Sequence, residues 1–213
     1  MDSSTIIIII VVVVSTVVCA LTSKIIKNKM MKRLLEDLKK ADFEDYFKMI
    51  DSTVCKFYFP AFNREFLRMI GLVMQGEKEK VEELFDLMLN MRINKQQEID
   101  IVMKCFYYYL EDENKRKAKT LLERIRKFGE DYFKESQVMY DVCLEKSVAY
   151  IDEMEEALKD PECTGPNRGM FLYMLGLQYG NGDQKKKMKE YLREAQGLLK
   201  NTPYELKIRS ILK

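Results

Sequence analysis

The sequence contains neither histidine nor tryptophan among its 213 residues. Without imidazole, the commonest metal ligand and the usual general base near neutral pH are both missing, so zinc centres and His-dependent catalysis lose their working parts. Cysteine is present, but as an odd set of 5, at positions 19, 55, 105, 143 and 163. No two of them form a C-x-x-C pair. A disulfide framework is therefore disfavoured, free thiols fit better, and a four-Cys metal site lacks clustered ligands. No metal and no cofactor is expected.

Proline and glycine are scarce as well, at 4 and 9. Between residues 61 and 160 no proline occurs, and glycine appears only as Gly71, Gly76 and Gly129. A stretch so poor in breakers and so rich in Leu, Met, Lys and Glu reads as successive helices. No glycine-rich loop follows a strand pattern, so nucleotide cradles are unsupported. The segment Gly165-Pro-Asn-Arg-Gly169 does not supply one, because Pro166 removes a backbone donor; it reads as a loop leading into a helix.

Charge of one sign is also lacking, since 36 Lys and Arg stand against 34 Asp and Glu. Five of the bases, Lys24, Lys27, Lys29, Lys32 and Arg33, face only Asp2 within residues 1–33, and the remainder is slightly acidic. No basic face of the kind nucleic-acid binding needs is left, so a nucleic-acid partner is not expected. The carboxylate pairs Asp152-Glu153, Glu82-Glu83 and Glu155-Glu156 and the run Lys185, Lys186, Lys187 and Lys189 read as solvated helix faces. With no convergent titratable groups, a non-enzymatic protein is expected.

What the chain does have is one long apolar run. Residues 6–21 read IIIIIVVVVSTVVCAL, without a charge. As a helix rising about 1.5 Å per residue, residues 6–23 would span roughly 27 Å, the short end of what a bilayer core requires. β-branched residues do not argue for a strand there, because a lone segment in lipid must satisfy its own backbone. The bases that follow keep to the cytoplasmic side, which places residues 1–5 outside and residues 24–33 as a juxtamembrane flank. Lys24, Lys27, Lys29, Lys32 and Arg33 are the expected lipid-headgroup contacts. A cleaved signal peptide would carry its bases before the apolar run.

From residue 34 onward the pattern turns amphipathic. Leu35, Leu38, Tyr46, Ile50, Val54 and Phe57 recur at helical steps, and Pro60 closes that element. Breaks follow at Gln75-Gly76-Glu77, residues 92–95, residues 111–114 and Phe128-Gly129. A longer loop at residues 160–169 comes next, then a turn at residues 180–183 and a final helix after Pro203. Nine or ten helices beyond the apolar run are expected, paired as hairpins by short connections.

Leu172, Leu175, Gly176 and Tyr179, followed by Met188, Leu192 and Ala195, are similar to the tetratricopeptide repeat, which has a period of about 34 residues. A second copy runs through Val102, Cys105, Phe106 and Tyr109 with Ala118, Leu122 and Ile125. A third starts at Leu67, Ile70 and Gly71, with Val81 and Leu84 or Phe85. A looser fourth has Phe133, Tyr140, Ala149 and Pro161 in step. Gly71, Phe106 and Gly176 lie 35 and 70 residues apart. The resemblance covers residues 61–200 and implies an α-solenoid of antiparallel hairpins; together with the apolar run, the expected fold is all-α, an N-terminal transmembrane helix followed by a tetratricopeptide-like solenoid over residues 34–213. The resemblance also implies a concave, partner-binding groove faced by Arg68, Leu72, Asp100, Met103, Tyr107 and Tyr173.

The expected protein is thus a single-pass membrane scaffold whose cytoplasmic repeat domain docks a protein or peptide. It would sit in a bacterial cell membrane, with a mitochondrial outer membrane as the alternative. A second reading makes it a self-associating structural protein, a homo-oligomer whose groove is filled by its own C-terminal helix.

Overall fold

The computed structural model describes residues 3–213, with side chains at 15, 16 and from 18 onward. Every regular element among them is helical. The chain forms two compact units, Met1–Ile101 and Val102–Lys213, so residues 34–213, expected as one domain, belong to both.

In the first unit, α1 (Ser3–Lys40) runs unbroken from the apolar segment into the amphipathic one. The expected span at residues 6–23 falls for more than half of its length on side chains outside the described ones. Among the described residues, no helix is long and apolar enough to cross a membrane. Ala41, at φ 56°, reverses the chain. Asp42 then accepts from the Asp45 amide at 3.2 Å and starts α2 (Phe43–Asp51). Ser52 ends α2 and caps α3 (Thr53–Tyr58) by accepting from Cys55 at 3.2 Å. The single element expected up to Pro60 is therefore three pieces, because two short polar residues capture backbone donors that helix continuation would use.

Pro60 precedes α4 (Ala61–Gln75), and Gly76, in the left-handed region at φ 78°, closes it. The helix α5 (Lys78–Leu89) packs back on α4. Asn94 and Gln97 cap each other's amides at 2.9 and 3.2 Å at the start of α6 (Lys95–Glu111), the reciprocal arrangement of a capping box. Leu34, Leu38, Tyr46 and Ile50 form the core between α1 and α2, with Met31, Leu67 and Ile70 against it. Val81, Phe85 and Met88 of α5 are also buried.

In the second unit, the later part of α6 is followed by α7 (Lys115–Ile125), whose first amides are capped by Asn114. A 3-10 turn leads to α8 (Glu130–Cys143), and then come α9 (Ile151–Ala157), α10 (Gly165–Asn181), α11 (Lys185–Leu198) and α12 (Pro203–Leu212). The helices α7 and α8, α9 and α10, α10 and α11, and α11 and α12 pack together. Eleven α-helices thus follow α1. The excess over nine or ten comes from the breaks at Ser52 and at residues 144–150.

The residues on which the repeat was read are mostly interior. Leu172, Leu175, Tyr179, Leu192 and Ala195 are buried, as are Cys105, Phe106, Tyr109, Ala118, Leu122 and Ile125. The loose fourth copy is different: Ala149 and Pro161 are exposed, because Ala149 lies in the loop before α9 rather than on a second helix.

Candidate functional site

Four consecutive aromatics on α6 cannot share one face, since each residue turns about 100° from the last. Phe106 and Tyr109 turn inward, while Tyr107 and Tyr108 stay half-buried. The Tyr109 hydroxyl accepts from Lys117 Nζ at 3.3 Å, and that cation lies 4.8 Å from the ring centre.

Tyr107 opens onto a cleft of 660 Å³ in the second unit, lined from α6, α8, α10 and α12. Across it lie Met139, Val142 and Cys143 of α8, then Tyr173, Leu177 and Asn181 of α10. The last helix supplies Pro203, Tyr204, Lys207, Ser210 and Ile211. The rings of Tyr173 and Tyr204 meet with centroids 5.1 Å apart and planes tilted 57°. Lys207 donates to Glu111 at 2.6 Å, tying α12 to α6 along one rim. Burial pushes the phenols of Tyr107, Tyr173 and Tyr204 up, and nearby acids add to that for each. They therefore remain hydroxyl donors at physiological pH. Burial likewise pushes up the Cys143 thiol, so its nucleophilic thiolate is suppressed.

Backbone pins hold the α8 side of this cleft. Asn181 Nδ2 donates to Val142 O at 3.0 Å and to Ser147 O at 3.2 Å. The fully buried Gln178 accepts from the Tyr150 amide at 2.9 Å. Lys146 Nζ donates to Cys143 O at 2.8 Å, satisfying a carbonyl at the end of α8.

Behind the cleft, a carboxylate collects two phenols. Glu155 Oε1 accepts from Tyr179 at 2.5 Å and from Tyr191 at 2.8 Å, and the two rings stack 5.3 Å apart. Lys187 donates to the Tyr179 oxygen at 3.1 Å. The phenol from Tyr179 and then that from Tyr191 hold the Glu155 carboxyl below the usual carboxylate range. A depressed folded-state pKa stabilises above the unfolded-state value, and that stabilisation is lost as pH falls through the depressed one. The double variant Tyr179→Phe/Tyr191→Phe is expected to be less stable at neutral pH by on the order of 1 kcal/mol. The deficit should shrink in urea unfolding as pH is lowered below the usual carboxylate range and through the depressed Glu155 value, since the phenols favour the ionised carboxylate that protonation removes.

Comparison with models of known families, with curated proteins and with solved structures finds no match. The cleft must be read from its own geometry.

The six groove residues expected from sequence are distributed over several places. Tyr107 and Tyr173 share the cleft just described. Met103 lies on α6 with its sulfur 3.9 Å from the Ser136 hydroxyl. Arg68 and Leu72 share an open cleft of 490 Å³ in the first unit with Phe47, Leu84 and Leu87. Arg68 is already committed there: its fork donates to Asp51 at 2.5 and 3.3 Å, and its Nε donates to Glu65 at 2.9 Å. The Arg68 guanidinium holds the Asp51 carboxyl below its usual range. Asp100 accepts from Gln96 at 2.9 Å and lines a separate 240 Å³ cleft with Met31, Phe59, Phe62 and Phe66.

Tyr204, Lys207 and Cys143 were not among the expected groove residues. The one sequence signal for the first two is their position in the helix after Pro203, the segment that the self-filling alternative places in the groove. Among the described residues, no group of three His, Cys, Asp or Glu side chains is placed to hold a metal ion.

Proposed function

We propose that the chain is a non-enzymatic, membrane-anchored scaffold with tetratricopeptide-like hairpins, and that its second unit docks a segment of a partner protein. The observation that carries this reading is the cleft walled by Tyr107, Tyr173 and Tyr204. Tyrosine offers a large apolar ring and a hydroxyl on a side chain with few rotors, which suits it to anchoring at interfaces. A trough between helices, rimmed by Lys104, Lys146 and Lys207 and by Glu111 and Glu113, is fitted to an amphipathic helix or extended segment.

The anchor is supported by the uncharged run at residues 6–21 and by the bases that follow it. In the described part of α1, Val18, Leu21 and Ile25 are exposed apolar side chains. This reading places the protein in a bacterial cell membrane with its helical units in the cytoplasm.

The self-filling alternative draws on a specific feature as well. Helix α12 already lies along one side of the cleft, with Ile208 fully buried and Tyr204 on Tyr173. The two readings separate by photo-cross-linking of the full chain in its native membrane, with benzophenone side chains at Tyr107 and Leu177 and a control at Arg124 on α7. Docking predicts a reproducible adduct with one other protein from the two cleft positions and none from the control. Adducts confined to α12 or to a second copy support self-occupancy, and lipid adducts alone overturn the docking role.

A further inference from the structure

The second unit contains one arrangement of side chains twice, once complete and once without its acceptor. The complete copy is the cluster behind the cleft. Tyr179 and Tyr191 lie with ring centroids 5.3 Å apart, Lys187 Nζ stands 4.5 Å over the Tyr179 ring, and both phenols donate to Glu155. A carboxylate suits that place because it only accepts, offers about four lone pairs, and forms stronger bonds than a neutral oxygen does.

In the cleft the same side chains recur on other helices. Tyr173 of α10 and Tyr204 of α12 bring their ring centroids to 5.1 Å, tilted rather than stacked, and Lys207 Nζ stands 5.4 Å over the Tyr204 ring. Neither hydroxyl has a hydrogen-bond partner among the described residues, and nor has that of Tyr107. Tyr173 is only 5% exposed, and polar groups buried to that degree are ordinarily bonded. Among the described residues, Asp37 Oδ2 is the one buried side-chain oxygen that is both sealed and unpartnered. The Tyr173 oxygen is thus unpartnered without being sealed, so its hydroxyl opens into the cleft that Tyr173 lines.

The surrounding charge does not oppose an anion there. Glu111 and Glu135 are the acids that act on these phenols; Lys207 pairs with the first, and the second is exposed and screened by solvent. Lys104 and Lys146 line the same cleft. Burial keeps both phenols protonated at neutral pH, so each has an O–H to donate.

We propose that Tyr173 and Tyr204 form a carboxylate subsite of the docking cleft, filled by an aspartate or glutamate side chain of the partner segment. The two phenols stand to that acid as Tyr179 and Tyr191 stand to Glu155, with Lys207 in the place of Lys187. Met139, Val142 and Leu177 offer apolar surface in the same cleft, so the segment carries its acid within a helical turn of apolar anchors. The subsite rests on the docking reading and adds the chemistry of the partner to it.

Hexanoate, a carboxylate on a short apolar chain, is the direct probe, with hexanamide as its uncharged counterpart. In saturation-transfer NMR on the detergent-solubilised full chain, hexanoate is expected to bind about tenfold more tightly than hexanamide. The double variant Tyr173→Phe/Tyr204→Phe should bind hexanoate about tenfold more weakly than the unsubstituted protein. Equal affinities in either comparison overturn the subsite. The variant keeps both rings and removes only hydroxyls that lack a protein partner, so its urea midpoint should be unchanged; a clear drop would show that the hydroxyls are bonded within the protein, and overturns the subsite as well. The benzophenone at Leu177 separates the subsite from docking. With both correct, the two Phe substitutions lower the adduct yield severalfold in the native membrane, and the captured segment has an Asp or Glu within one helical turn of its attachment point. An undiminished adduct leaves docking standing and overturns the subsite. Phe-sensitive hexanoate binding without any protein adduct supports the phenol pair as a carboxylate site and overturns docking. An adduct on residues 211–213 of a second copy assigns the carboxylate to the end of this chain and overturns the partner side chain.

Discussion

Replacing Tyr46 with alanine is expected to destabilise the first unit by about 3–5 kcal/mol, the range for losing a fully buried aromatic ring. Tyr46 has no exposed surface and sits in the core with Leu34, Leu38 and Ile50. Its ring lies edge-on to Phe47 with centroids 5.5 Å apart, and its hydroxyl reaches Leu67 O at 2.7 Å. The ring also fills the space in front of Gly71, where an added Cβ would come within 2.6 Å of it. One side chain therefore joins α1, α2 and α4, so truncation leaves a cavity that none of the three helices can close alone. Tyr46→Phe keeps the ring and gives up only the hydrogen bond, for which about 1 kcal/mol is expected.

Urea unfolding of the detergent-solubilised full chain, followed by circular dichroism, measures both losses. Near-equal losses for the two variants would show that the hydroxyl, not the ring, holds these helices together. The pH dependence gives a further check. Burial raises the Tyr46 phenol from 10.0 to about 12. A raised folded-state value means that the neutral form is favoured by folding, so the stabilisation is complete below pH 10 and is lost as pH rises from there through about 12.

The second large effect is expected at Gly176, where α10 and α11 cross. A Cβ built there would lie 2.6 Å from both Cγ and Cδ2 of Leu192, which is itself fully buried. Gly176→Val is expected to cost about 2–3 kcal/mol, because overpacking outweighs the fraction of a kcal/mol that leaving glycine contributes to helix propensity. Leu192→Ala alone should cost about 2–5 kcal/mol by opening a cavity. Combined, the two should cost less than their sum, since the cavity receives the added methyl groups. A simple sum in unfolding measurements would show that the helices do not touch here. Gly197→Ala is the internal control: nothing lies within 4 Å of its Cβ position on the same α11. There, helix propensity predicts a gain of about 0.5 kcal/mol.

These two glycines also mark how far sequence reading reaches. Gly71 and Gly176 stand one helix turn from other repeat residues, and in the structure each faces a buried side chain of a neighbouring helix. Phe106, which takes the glycine position in the second copy, is fully buried, so a bulky residue is accommodated there. Spacing alone does not distinguish a small residue needed for close approach from a large one that fills a gap. That depends on what the opposing helix presents.

The groove illustrates the same boundary. Arg68 has the residue type of an interface anchor, but Asp51 and Glu65 engage it within the first unit. Asp51 is 17 positions away, and the turn at Ser52 and the corner at Pro60 bring the two together. Helical periodicity extends over a few residues and contains no information about such a return.

The amino-acid sequence by itself determined the helical class, the stops near Gly76, Asn114 and Gly129, and the concentration of apolar and basic residues at the N-terminal end. All of these follow from interactions within about four residues: backbone propensity, capping and local charge. Only the tertiary structure decided that α1 continues to Lys40, that Tyr107 and Tyr173 line one cleft while Arg68 and Leu72 line another, and that α12 forms a wall of the first through Tyr204 and Lys207. Those outcomes depend on which helix faces buried one another, and the hydrophobic effect that selects among such pairings is non-directional, so no local pattern specifies its result.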